Sequence, residues 1–132
     1  MIACDTSALS HFFRRAQADG GKAAGVIQNL IEADALALFG IVRQEPLSGL
    51  KHSSSFDRIE TATQALPIFF AEEGDHTMAA KFYNTCRSKG IQGSPVDFLI
   101  CAMAVRRKFA IYTTDPDFGM YESIIPIELY HP

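Results

Sequence analysis

Five acidic side chains, Asp5, Glu45, Asp97, Asp115 and Asp117, fall where strands and helices are expected to meet. Asp5 follows the short apolar run Ile2-Ala3-Cys4, and Asp115 and Asp117 follow the apolar run at 109–112. Asp97 falls in the first turn of a helix announced by Ser94-Pro95, and Glu45 lies on a helical stretch opened by Gly40. In a parallel α/β sheet the strand ends and the following helix starts share one edge, the edge where such folds place their sites. Carboxylates gathered there repel one another and resist ionisation. A divalent cation removes that conflict, and hard Mg²⁺ or Mn²⁺ takes oxygen ligands. No soft zinc set competes, because the histidines and the cysteines Cys4, Cys86 and Cys101 are scattered. Each acid also has a plainer reading when taken alone. Asp5 caps a helix or shapes a turn, Asp97 is a helix-start acid, Asp115-Pro116-Asp117 is an Asx turn, and Glu45 is a solvated helix residue.

The elements that must position these acids alternate along the chain. Strands are expected at 2–4, 36–39, 67–70 and 109–112, with a final edge strand at 124–129, where Pro126 is tolerated. Helices are expected at 8–15, capped by Thr6 or Ser7, and at 22–33, after a break at Gly20-Gly21. Further helices are expected from Gly40, at 56–66 behind a serine cap drawn from Ser53 to Ser55, and at 75–87. The last follows Ser94 and closes on Arg106, Arg107 and Lys108, cations that complement a helix's negative end. Pro46 disfavours helical geometry at Glu45, so that helix starts late or kinks there. This alternation argues for one α/β domain over 1–132, with a mostly parallel central sheet flanked by helices.

Composition sets bounds on function. The chain has 132 residues, enough for one core without staples, and its hydrophobic fraction of 48% is that of an ordinary globular protein. No apolar stretch approaches a membrane span, and the start does not read as a secretory leader. Three cysteines, none in a CxxC pair, suit reduced thiols and a cytoplasmic location. The formal net charge is -3, and setting aside the five acids leaves +2, which is compatible with a phosphate-bearing substrate.

Four segments carry a resemblance across nearly the whole chain. They are IACDTSAL at 2–9, EPLSG at 45–49, SPVDFLICAMA at 94–104 and AIYTTDPDF at 110–118. In these the chain resembles a PIN-domain ribonuclease, in particular the VapC-type toxin of a bacterial toxin–antitoxin pair. The resemblance implies a PIN-like α/β fold and an acidic metal-site quartet of Asp5, Glu45, Asp97 and Asp115. Asp117 would be a neighbouring acid, as an outer partner or a ligand through water. Thr113 would present a hydroxyl, with Thr6 and Ser7 as lesser candidates, and Gly49 would share the face of Glu45. The implied activity is Mg²⁺- or Mn²⁺-dependent endoribonuclease hydrolysis of RNA phosphodiesters by the toxin of a type II system. The implied partners are RNA, a cognate antitoxin and a second copy in a homodimer. Phosphate-positioning cations are sought among Arg14, Arg15, Arg43, Lys51, Arg58, Arg106, Arg107 and Lys108, whose plainer reading is solvated faces and helix ends. Phe12, Phe13, Phe56, Phe69 and Phe82 are candidates for partner surfaces or core.

Other classes fit less well. A phosphorelay receiver needs a phospho-accepting Asp on a central strand and a later Lys after a strand. An Asp-nucleophile phosphotransferase needs D-x-D, where this chain has Asp5-Thr6-Ser7. No GxSxG is present for a serine hydrolase. The alternative that remains is a catalytically inactive PIN-like module binding RNA or protein.

Overall fold

The computed structural model describes residues 1–14 and 18–132. Arg15 lies outside the described residues. Four parallel strands form the sheet: β1 (Ile2–Cys4), β2 (Leu36–Phe39), β3 (Ile68–Phe69) and β4 (Ala110–Tyr112), in the order β3-β2-β1-β4. Every residue of β2 is buried, as expected for a strand covered by helices on both faces. The register decides where the site falls. Cys4 pairs with Tyr112 and Ala3 with Ala37, so Asp5, Thr113 and the end of β2 leave the sheet at one edge. The Asp5 N–H extends this ladder by one rung to the Tyr112 carbonyl, 3.1 Å away.

Around the sheet run α1 (Thr6–Phe13), α2 (Ala18–Glu32), α3 (Gly40–Leu47), α4 (Ser53–Gln64), α5 (Glu73–Ser88), α6 (Pro95–Arg107) and α7 (Asp117–Glu122). The start of α6 follows the sequence: Ser94 Oγ accepts from the Asp97 N–H at 3.0 Å, and Pro95 takes the first helical position. Its residues Phe98, Ile100, Cys101, Ala102, Met103 and Ala104 are all buried, a helix apolar on nearly every side and hence central to the core. Lys108 ends it in the left-handed region, with φ 58°. Along its length α6 packs on α5, and Asp75 pins the two together. Fully buried, Asp75 accepts from Arg106 at 2.8 Å, from Arg107 at 3.1 and 3.2 Å, and from the Glu72 N–H at 2.8 Å. The three cysteines are free and buried. Of the phenylalanines weighed for partner surfaces, Phe82 is core and Phe12, Phe13 and Phe69 pack half-buried against it, while Phe56 is exposed.

Several expectations about local structure are corrected. Gly20-Gly21 does not break the chain, since α2 runs through it. Each glycine costs a helix about 1 kcal/mol, whereas burying a large side chain such as Ile27 or Leu30 gains about 1.5–3 kcal/mol. Asp5, not Thr6 or Ser7, caps α1. The serines at 53–55 lie inside the first turn of α4, behind His52. α3 starts at Gly40 and stops at Leu47, one residue past Pro46. Ser48 then turns extended and Gly49 takes φ +82°, so Gly49 does not share the face of Glu45. The segment 124–129 is not a strand. Pro126 interrupts it, and only Leu129 bridges to Ile111 on β4. Asp117 closes the turn expected at 115–117 and also opens a short helix, α7, that the sequence does not predict.

Candidate active site

Asp5 unites two of its readings. Its backbone is extended (φ -88°, ψ 177°), and its Oδ1 caps α1 by accepting from the Ala8 N–H at 3.1 Å. The same carboxylate accepts from the Ser7 hydroxyl at 2.8 and 2.9 Å and is 4% exposed. Burial pushes its pKa up, and the charge of Asp115 pushes the same way. The Ala8 N–H and the Thr113 and Ser7 hydroxyls pull against them without cancelling the rise.

Ser7 joins β1–α1 to the loop after β4. Its Oγ accepts from the Thr114 hydroxyl at 2.9 Å and from the Thr114 N–H at 3.3 Å, and lies 3.5 Å from Thr113 Oγ1. Thr113 Oγ1 in turn accepts from the Asp115 N–H at 2.9 Å, and Asp115 Oδ1 from the Asp117 N–H at 2.9 Å. The Asx turn anticipated at 115–117 is therefore real, and it leads into α7 while presenting Asp115.

Asp97 reaches the same place from α6. Its carboxylate accepts from the Tyr121 hydroxyl at 2.9 Å, while its own N–H is the one capped by Ser94. Burial raises its pKa; Tyr121 and Ser94 lower it, and the charges of Asp115 and Asp5 raise it again. The charge of Asp115 thus adds to the rise at both Asp5 and Asp97, which separate elements carry.

Glu45 sits at the rim. It is exposed and accepts from the Thr6 hydroxyl at 2.7 Å, which ties α3 to the start of α1. The candidate cations divide in two. Arg43 donates to Thr63 Oγ1 at 2.8 Å and to the Glu60 carbonyl, and Arg106 is paired with Asp75 and Glu72, so both are engaged within the fold. Arg14 and Arg58 instead line an open groove of about 280 Å³ beside Ser10, Pro46 and Ser55. A cavity of about 400 Å³ between α5 and α6, walled by Ala79, Tyr83, Val96 and Leu99, is lined by none of the five acids.

The donor set suits a hard divalent ion in chemistry: it offers oxygen atoms only, and burial raises the pKa of both Asp5 and Asp97. Among the described residues, no three His, Cys, Asp or Glu side chains form a ready-made cage. Mg²⁺ does not need one, since it keeps several waters and takes one or two carboxylates together with substrate phosphate. Two participants escaped the sequence reading. Thr114 is a polar neighbour within the quoted motif. Tyr121 was detectable in principle, because Phe118 and Tyr121 share a face of α7 and a buried tyrosine hydroxyl needs a partner.

Comparison with known proteins gives a family and a set of folds. The family model described as PIN domain matches residues 2–122. No curated protein sequence matches the chain. FitAcB from Neisseria gonorrhoeae has a similar structure, with TM-score 0.78 and 20% identity over 100% of this chain and 98% of that one. VapBC2 from Rickettsia felis, bound to a DNA fragment from its promoter, gives TM-score 0.78 and 16% identity, covering 98% of each chain. VapC20 from Mycobacterium tuberculosis, a Sarcin-Ricin loop cleaving toxin, gives TM-score 0.74 and 15% identity over 97% of this chain and 99% of that one.

Proposed function

The chain belongs to the PIN domain family, and from that premise we propose that it is a divalent-cation-dependent endoribonuclease, the toxin of a type II toxin–antitoxin pair. The observation that carries the reading is the hydrogen-bonded chain around these acids: Ser7 bonds Asp5 and Thr114, Thr113 Oγ1 accepts from the Asp115 N–H, and Tyr121 of α7 donates to Asp97. The similarity to a Sarcin-Ricin loop cleaving toxin and to VapBC assemblies supports the same reading.

In this proposal Asp5, Asp97 and Asp115 hold Mg²⁺ or Mn²⁺, with Glu45 and Asp117 at the margin. When bound, the ion lowers the pKa of water and offsets charge on the phosphate. The chain's own work is positioning. Ser7, Thr113 and Thr114 lock the β1 and β4 ends so that Asp5 and Asp115 keep one separation. Either Asp97 or Asp115 orients the attacking water. Arg14 and Arg58, in their groove next to Pro46, take the phosphates that flank the cleaved bond. The proposed partners are RNA, a cognate antitoxin and a second copy of the chain, in the cytoplasm. No helix among the described residues is long and apolar enough to cross a membrane.

The test is controlled expression of the chain in bacteria, with and without the adjacent small reading frame, followed by sequencing of RNA ends. The proposal expects growth arrest, new 5′ ends at a defined site, and relief of both by coexpression. Arrest of equal depth with Asp97→Asn would reject the nuclease reading.

A further inference from the structure

We propose that Tyr121 is the positioning residue for Asp97, holding its carboxylate by Oδ2 in the orientation that would receive a cation, and that Gly93 is the seat that makes this possible. The proposal rests on Asp97 being a cation ligand. Tyr121 is among the largest fully buried side chains. Its ring is wedged between α6 and α7, with centroids 4.8 Å from Phe98 and 5.2 Å from Phe118. Within this apolar packing its hydroxyl donates to Asp97 Oδ2 at 2.9 Å. A carboxylate on the first turn of a helix can otherwise swing about two side-chain bonds, and the phenol restrains it from a ring packed against Phe98 and Phe118. The same ring ties Asp97 to the helix that begins two residues after Asp115, so the two acids share one rigid support.

Gly93 supplies the independent observation. A Cβ there would collide with the Tyr121 hydroxyl, and would lie 2.8 Å from Tyr121 Cζ and 2.9 Å from Phe98 Cε2. Among the described residues the glycines of positive φ are Gly49 and Gly90, and Gly93 is not one of them. Space, and not backbone conformation, is therefore what demands glycine at this position. The absence of a side chain at Gly93 leaves the phenol the space from which its hydroxyl reaches Asp97, and any side chain there would displace it.

The experiment is a Mn²⁺ titration by calorimetry on the full chain without RNA, alongside cleavage kinetics at varied Mn²⁺. Tyr121→Phe keeps the ring volume and removes the hydroxyl. It is expected to weaken Mn²⁺ binding about 10-fold, the lower end for loss of a ligand's supporting partner. Saturating Mn²⁺ should restore kcat, which a general loosening of the fold would not allow. Gly93→Ala keeps the hydroxyl but displaces it, should weaken binding to a similar degree, and serves where the phenylalanine variant does not fold. Asp97→Asn separates the two claims. If it weakens Mn²⁺ binding while folded Tyr121→Phe and Gly93→Ala bind as wild type, the positioning role is overturned and the site reading stands. If Asp97→Asn also binds as wild type, both fall.

Discussion

Asp75 offers the sharpest test of how the core is locked. Its buried carboxylate takes hydrogen bonds from Arg106, Arg107 and the Glu72 N–H, joining the first turn of α5 to the last turn of α6. Asp75→Asn keeps the shape, removes the charge and turns an amide NH₂ toward guanidinium groups. Breaking a fully buried pair costs about 3–5 kcal/mol. Arg106 is 34% exposed and Arg107 16%, so water takes up part of the loss, and about 2–3 kcal/mol is expected. For a chain of this size that is a fall in Tm of about 10 °C. The pH dependence has a definite sign. Burial alone would raise the Asp75 pKa, but the hydrogen bonds from Arg107, Glu72 and Arg106 outweigh it and hold the carboxyl below its ordinary value. The folded pKa is thus lower than the unfolded one. The contribution is complete above the unfolded value, about 4, and is lost as pH falls through the lower folded value. Urea unfolding of wild type and variant at pH 7 and pH 3 should show a gap that narrows in acid. A gap under about 0.5 kcal/mol at pH 7, or one unchanged at pH 3, would refute the reasoning.

Other consequences are open to direct measurement. Burial pushes the Cys4 thiol up to about 12 and raises those of Cys101 and Cys86 as well, so Ellman's reagent should react with none of them in the native protein and with all three in urea. Gly49→Ala places a side chain at φ +82° with open space around it, so it should cost about 1–2 kcal/mol from backbone strain alone, read as a lower urea midpoint with an unchanged m-value. Glu45→Gln should reduce cleavage less than Asp97→Asn, because Glu45 is an exposed rim residue bonded to Thr6 while Asp97 lies within the fields of two other acids.

The sequence was most legible where local chemistry and burial agree. Ser94-Pro95 starts α6 and the apolar run after it fills the core, so propensity, cap and packing all point to one element. The bounds of β1 and β2 follow from short apolar runs ended by Asp5 and Gly40. Legibility failed where tertiary contacts overrule a local signal. Gly20-Gly21 reads as a break, yet the buried face of α2 carries the helix through it. Serines at 53–55 look like caps, but the helix begins at Ser53 and they become its first turn. At the site, the strand-end position of Asp5 and Asp115 was readable because a parallel register fixes it. The Tyr121–Asp97 bond was not, because it joins side chains 24 positions apart whose meeting depends on how α7 folds back. Nor could composition show that Arg43 and Arg106 are engaged inside the fold while Arg14 and Arg58 line open space.

The central claim is that acids from distant parts of the chain act as one cation-dependent phosphodiesterase. The most direct measurement is cleavage of a structured RNA by the purified chain in Mn²⁺, by the Asp5→Asn and Asp97→Asn variants, and by wild type in EDTA. The account predicts cleavage by wild type that EDTA abolishes and a fall of at least about 100-fold in either variant. Cleavage that persists in EDTA, or that survives both substitutions, would contradict it.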